Sequence, residues 1–365
     1  MEERLLRSVC EKFQIGGRFR TYEVLTAGHI NTTYRVVLDR DDEEKSYILQ
    51  RINTFVFKNP AEIMENVSDV TEYIRSKIKA EGQKAERKVL HFKKSADGKF
   101  CLDDETGFWR CYRFIDDSVT YDVTDDSDII EEAGKAFGEF QMYLADYPVE
   151  KLHIAIPHFH NTVNRYEIFE RAVAQNKSGR ATEVAGEIAA YRGLEETATA
   201  MYKMQRAGKL PLKVTHNDTK TNNVLFDKKT GEHLAVLDLD TVMPGLVGFD
   251  FGDAIRYIGN TCAEDEKDIR KVMLDMKKFE AFTKGFVQKV GKTLTETEKE
   301  TLALGAVTMT TECGLRFLTD YIDGDEYFKV DYPTHNLDRS RCQLALAKDM
   351  VRRKSDMDAI VKHYC

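Results

Sequence analysis

The sequence predicts an α+β chain of two lobes: a small β-rich lobe over residues 1–115 and a large, mainly helical lobe over 116–365. Three observations predict it. Short apolar runs separated by turn residues crowd the first third. Most of the remaining two thirds carries apolar residues at helical spacing. One short β-hairpin interrupts that helical half and carries most of the chain's chemistry. At 365 residues the chain is long enough for two substantial cores.

In chain order, residues 1 to about 20 read as a short helix, with Leu5, Leu6, Val9 and Phe13 on one side. Residues 22–25 and 34–38 read as strands joined by the turn 26–33, which contains Gly28, Asn31 and Thr32. A glycine among small polar residues could fold over nucleotide phosphates with its backbone N–H groups; it could equally be an ordinary hairpin. Residues 46–50 form a third strand and 61–78 a helix. Residues 89–92 and 108–115 complete a small antiparallel sheet. The lobe crossing falls near 114–117, where the backbone of Arg113, Phe114 and Ile115 could pair with adenine. Further helices are predicted over 129–144, 165–175, 183–207, 265–290, 296–318 and 337–360.

The hairpin is built from the apolar run 224–226, the turn 227–231 and the apolar run 234–239. Before it stands His216-x-Asp218-x-x-x-x-Asn223, and its second strand ends in Asp238. Folding the chain at the turn returns Asp238 to the end where Asn223 begins. An amide and a carboxylate there suit Mg²⁺, a hard cation that takes one or two protein oxygens and fills its shell with phosphate and water. Asp218, just before the first strand, stands where a base for an acceptor hydroxyl is needed. The set is the counterpart of a kinase catalytic loop and metal-binding Asp. Asp250-Phe251-Gly252 spells a protein-kinase metal motif but lies beyond the hairpin. Asp250 and Asp253 are expected to cap the helix through 254–257 and to brace the catalytic loop.

A formal net charge of −8 argues against nucleic acid as the main partner. No apolar run is long enough for a membrane span, and the N-terminus has no secretion-signal pattern. Seven scattered cysteines without a Cys-x-x-Cys pair suggest reduced thiols and a cytoplasmic setting. His158-Phe159-His160 lacks a third metal ligand and reads as structural or solvated.

Residues 28–34, 47–50, 214–223, 237–245, 249–256 and 312–317 resemble the aminoglycoside phosphotransferase superfamily, and within it the kinases that act on N-acetylhexosamines. The resemblance spans most of the chain. It implies a protein-kinase-like fold and transfer of the γ-phosphoryl group of ATP, with Mg²⁺, to the anomeric hydroxyl of N-acetylglucosamine or N-acetylgalactosamine. It also implies Asp218 as catalytic base and Asn223 and Asp238 as metal ligands. Asp240 would lie near the metal or the sugar. His29, Tyr257, Arg316 and Tyr327 would line the sugar pocket, although Tyr257 could be core and Arg316 could pair with an acidic neighbour. One departure stands out. The superfamily's third strand carries a Lys or Arg for the phosphates; here Gln50 holds that position, or Arg51 supplies the charge from a shifted register. Glu65 and Glu72 are candidates for the acidic partner of such a charge. The rival readings are a kinase of another small alcohol (another sugar, homoserine or choline) and a non-catalytic ATP-binding pseudokinase. Choline needs an aromatic cage, and the single tryptophan, Trp109, lies in the small lobe.

Overall fold

A computed structural model describes residues 2–26, 30–41 and 43–365. The small lobe opens with α1 (Glu2–Lys12), β1 (Arg18–Leu25), β2 (Thr32–Arg40) and β3 (Glu43–Arg51). It continues with α2 (Pro60–Ala80), β4 (Leu102–Asp104) and β5 (Gly107–Arg113). The five strands form one antiparallel sheet in the order β1-β2-β3-β5-β4. Alternation along β2 buries Tyr34, Val36 and Leu38 under α1, beside Leu49, Trp109 and Cys111. The first helix is shorter than its apolar spacing predicts, because Gly16 and Gly17 take positive φ and turn the chain into β1. Residues 89–92 do not form a strand. Phe92 makes a single bridge to Tyr112, and the fifth strand is β4 instead, whose Leu-Asp-Asp composition carries no strand signal.

The remaining strands are β6 (Ser118–Val119), β7 (Lys213–Thr215), β8 (Val224–Asp227), β9 (His233–Val236) and β10 (Met243–Gly245). Around them pack α3 (Ser127–Tyr143), α4 (Thr162–Gln175), α5 (Ala185–Arg206), α6 (Val247–Ile258) and α7 (Met276–Val290). The chain ends in α8 (Glu296–Asp323), α9 (His335–Arg352) and α10 (Lys354–Tyr364). The expected helix over 265–290 begins only at Met276, where Asp275 caps it by accepting from the amides of Lys277 and Lys278. The expected helix over 337–360 is broken at Arg353 into two.

The large core centres on Phe251 of α6, whose ring meets those of Phe279, Phe282 and Phe286 on α7 at 5.5–5.9 Å. On its other side α6 touches α8 through glycines. A Cβ on Gly252 would stand 2.2 Å from the Gly305 carbonyl oxygen, so only glycine permits this approach. α6 is thereby clamped between two helices, with its polar residues turned toward β7 and the loop after it. No helix among the described residues is long and apolar enough to cross a membrane.

Candidate functional site

The site begins where β7 ends. β7 pairs with β10, and a Cβ on Gly245 would fall 2.2 Å from Thr215 Oγ1. The loop after Thr215 makes few regular backbone bonds, so side chains satisfy it. Asp250 accepts from the amides of His216 (2.9 Å) and Asn217 (2.8 Å), and Asp253 from that of Thr219 (2.9 Å). Both acids lie inside α6, which starts at Val247; the expected capping role is wrong and the bracing role is seen. Burial pushes the Asp250 carboxyl up despite these donors, and Gln141 also binds it. His216 donates from Nε2 to the Leu237 carbonyl at 2.7 Å and accepts the Asp218 amide on Nδ1 at 3.2 Å. His160 spends its ring nitrogens on Glu312 (2.9 Å) and the Asn217 carbonyl (3.3 Å), which is the structural use expected for that histidine.

The hairpin closes as its sequence suggests. β8 pairs with β9, and the Leu237 amide donates to the Asn223 carbonyl at 2.7 Å, so the two ends meet. Asp238 then adopts a left-handed conformation (φ 53°), one that Asp tolerates better than most residues, and the chain swings into a turn over 239–241. Asn223 gives both amide hydrogens to Asp218, one to the carbonyl (2.8 Å) and one to Oδ2 (3.1 Å). That leaves Asn223 Oδ1 as a free acceptor. Lys220 Nζ lies 2.9 Å from Asp218 Oδ1. Burial lowers the Lys220 pKa, but Asp218 and Asp253 outweigh it and the ammonium is held above its usual range.

The Asp238 side chain makes no hydrogen bond among the described residues, although solvent reaches it through the cleft. Its pKa is pushed up to about 6, first by the protein crowded around it and then by the charges of Asp240 and Asp218. An uncompensated carboxylate beside a free amide oxygen is the donor set a hard divalent cation takes. The residues present therefore fit Mg²⁺.

Asp240 stands near Asp238, on whose carboxyl its charge acts, and its own carboxylate is taken up by the small lobe. Its carboxylate is 2% exposed, binds the Arg110 guanidinium through both oxygens (Nη2–Oδ2 3.1 Å) and accepts from Asn31 Nδ2 at 2.9 Å. It does not face an open acceptor pocket. Gln50 points to the same place: its Oε1 accepts from Arg110 Nε at 2.8 Å and its Nε2 donates to Thr33 Oγ1 at 3.0 Å. Arg51 cannot replace it, since strand alternation turns Arg51 to the opposite face, over the Trp109 ring. Glu65 and Glu72 are exposed, and Glu65 binds His153; neither faces Gln50. Thr32 is exposed beside this network, while Gly28 and His29 lie outside the described residues.

At the crossing, the Arg113 amide donates to His91 O (3.0 Å) and that of Phe114 to Ser46 O (3.1 Å), so neither can serve adenine. The Arg113 carbonyl and the Ile115 amide make no hydrogen bond among the described residues, and in extended chain they share an edge. On the far side of the catalytic loop, the Arg316 guanidinium sits over Phe159, Tyr327 and Phe328 at 5.3–6.0 Å, with no carboxylate partner among the described residues. Arg165 donates to the Phe159 carbonyl at 2.9 Å, and its Nε is buried without a partner. Tyr327 is 75% exposed, and Tyr257 is partly buried against the large core. Phe159, His160 and Asn217 help line a cavity of about 200 Å³. Sequence reasoning assigned nothing to Arg110, Arg165 or Lys220. The available signal for Arg110 was a lone charge inside the apolar run Phe108-Trp109-Arg110-Cys111.

The fold is protein-kinase-like, with an Asp-bearing loop and an acid–amide pair at a hairpin mouth. The chain belongs to the phosphotransferase enzyme family, whose model matches residues 21–270. Solved structures share the fold at low identity. A microcompartment-associated aminopropanol kinase is 16% identical, with TM-score 0.62 over 97% of this chain and 98% of its own. An aminoglycoside phosphotransferase from Alicyclobacillus acidocaldarius is 10% identical, with TM-score 0.64 over 98% and 96%. Spectinomycin phosphotransferase, solved with ADP and spectinomycin, is 13% identical, with TM-score 0.54 over 97% and 98%.

Proposed function

We propose that this phosphotransferase is an ATP-dependent kinase that phosphorylates the anomeric C1 hydroxyl of N-acetylglucosamine or N-acetylgalactosamine, releasing ADP. The observation that carries the phosphoryl-transfer reading is the link from Lys220 through Asp218 to Asn223, with Asp238 unpaired beside it. ATP would lie between the lobes, its adenine against the Arg113 carbonyl and Ile115 amide. Asn223 Oδ1 and the Asp238 carboxylate would hold Mg²⁺, which when bound neutralises phosphate charge. Asp218 orients the C1 hydroxyl. As the oxygen–phosphorus bond forms and the bond to the ADP leaving group breaks, its carboxylate accepts the hydroxyl proton late. Lys220 keeps that carboxylate aimed.

The sugar is favoured over an amino alcohol by the acceptor side. The aromatic rings there already hold Arg316, and a second guanidinium, Arg165, stands by the same Phe159. An ammonium would be repelled, whereas hydroxyl and acetamido oxygens accept hydrogen bonds from guanidinium. Tyr257 and Tyr327 are further candidates for that wall. The test is an ADP-release screen over free sugars and amino alcohols, with the product's phosphate position read by phosphorus NMR. The expected product is the sugar 1-phosphate. Turnover confined to an amino alcohol, or a phosphate at another carbon, would overturn the acceptor assignment.

A further inference from the structure

β3 turns a neutral Gln50 toward the cleft, yet a cation stands directly across the ladder, where Arg110 of β5 pairs with Gln50. Arg110 is 3% exposed and packs against Met64 of α2. Its Nε reaches Gln50, and its two terminal nitrogens grip both oxygens of Asp240. The same carboxylate takes Asn31 Nδ2, and Asn31 Oδ1 accepts the Asn53 amide at 2.9 Å. Two small-lobe segments thus converge on one large-lobe acid, two residues beyond Asp238, with Gln50 of β3 bracing the guanidinium.

Burying an ion pair costs several kcal/mol per ion in lost hydration, so such pairs are poor devices for stability alone. Apolar side chains would hold the lobes as well. What a guanidinium fork adds is direction and charge. Asp238 and Asp240 sit together where a triphosphate must come. Without a counter-charge, Asp240 would repel the phosphates in a cleft of low dielectric.

We infer that Arg110 is a positioning residue for the nucleotide, supplying from β5 the buried positive charge that β3 lacks and acting through Asp240. It cancels the Asp240 charge and fixes the Asn31 segment above Asp238. This rests on the phosphotransferase reading above.

The test uses the full chain, with Mg·ADP binding measured by calorimetry, KM for ATP and for the acceptor measured separately, and melting monitored for folding. Arg110→Met should weaken Mg·ADP binding and raise KM for ATP by about tenfold or more, leaving the acceptor KM within about twofold. Gln50→Lys, added to Arg110→Met, returns a cation to the cross-strand position and should recover at least about half of that loss on a logarithmic scale. A purely structural Arg110 would lower the melting temperature without this rescue. A folded Arg110→Met protein that binds Mg·ADP like wild type, or a double variant no better than the single one, overturns the inference. Should Arg110→Met fail to fold, Arg110→Lys replaces it. It keeps the charge but loses the fork, so Mg·ADP binding and KM for ATP should shift by an intermediate amount, about threefold to tenfold, with the acceptor KM within about twofold; Mg·ADP binding like wild type, or an acceptor KM that moves as far as that for ATP, would overturn the inference. A wild-type chain that binds no Mg·ADP sinks the phosphotransferase reading itself, a result distinct from any of these.

Discussion

At the candidate site, two carboxylates of one chemistry are given different surroundings by their partners. Asp218 is held by Lys220 and Asn223, so it is oriented and compensated. Asp238 is left without a partner, and its raised pKa records the cost. Replacing Asp218 with Asn should lower kcat by at least ~10³ with little change in nucleotide affinity, because in the proposed mechanism the group acts on the acceptor and not on ATP. Parallel kcat and ADP-binding measurements check this, and near-wild-type turnover would remove Asp218 from the role. Asp238→Asn should abolish magnesium-dependent turnover and yet melt above wild type in EDTA at pH 7–8. The sign comes from the raised folded-state pKa of an acid. The ionised form is destabilising above about pH 6, and the penalty fades as pH falls toward the ordinary value of 3.8. Melting curves across pH 4–8 should show that gap closing on the acid side.

At the level of elements, α6 does more than its length suggests. It carries Asp250 and Asp253 to the catalytic-loop amides, and it can do so only because glycines let it sink against α8. Gly252→Ala would press a methyl onto the Gly305 carbonyl, so α6 must shift. The expected cost is roughly 2 kcal/mol or more in denaturant unfolding. Activity should fall beyond what stability explains, because the loop amides lose their partners' positions. An unchanged midpoint and kcat would show that the loop is held without α6. The hairpin was legible in sequence for a simple reason: two apolar runs and a five-residue turn leave one way to fold, and that brings Asn223 and Asp238 together. The helix starts were less legible. Asp250 and Asp253 look like caps in a one-dimensional reading, but the helix is capped at Leu246, four residues before Asp250, and both acids become braces from inside it.

Across the whole molecule the lobes meet through apolar packing of α2 on α3 and β9 and through the Arg110–Asp240–Asn31 network, so a nucleotide bound between them should stabilise both. Saturating Mg·ADP at about 100 times its Kd should add roughly 2.7 kcal/mol to unfolding, read as a raised melting temperature, and EDTA should remove most of that gain. A shift that persists in EDTA would detach the nucleotide from Asn223 and Asp238. Residue order alone carries the two-lobe plan, the hairpin and the three residues at its mouth, because periodicity, turn chemistry and short spacing act locally along the chain. That Asp240 faces Arg110, 130 residues away, that Gln50 shares that guanidinium, and that Arg165 and Arg316 meet at Phe159 emerge when the chain packs in three dimensions. Those contacts depend on how sheets and helices stack, and charge partners chosen across such distances leave no periodic trace in the order of residues.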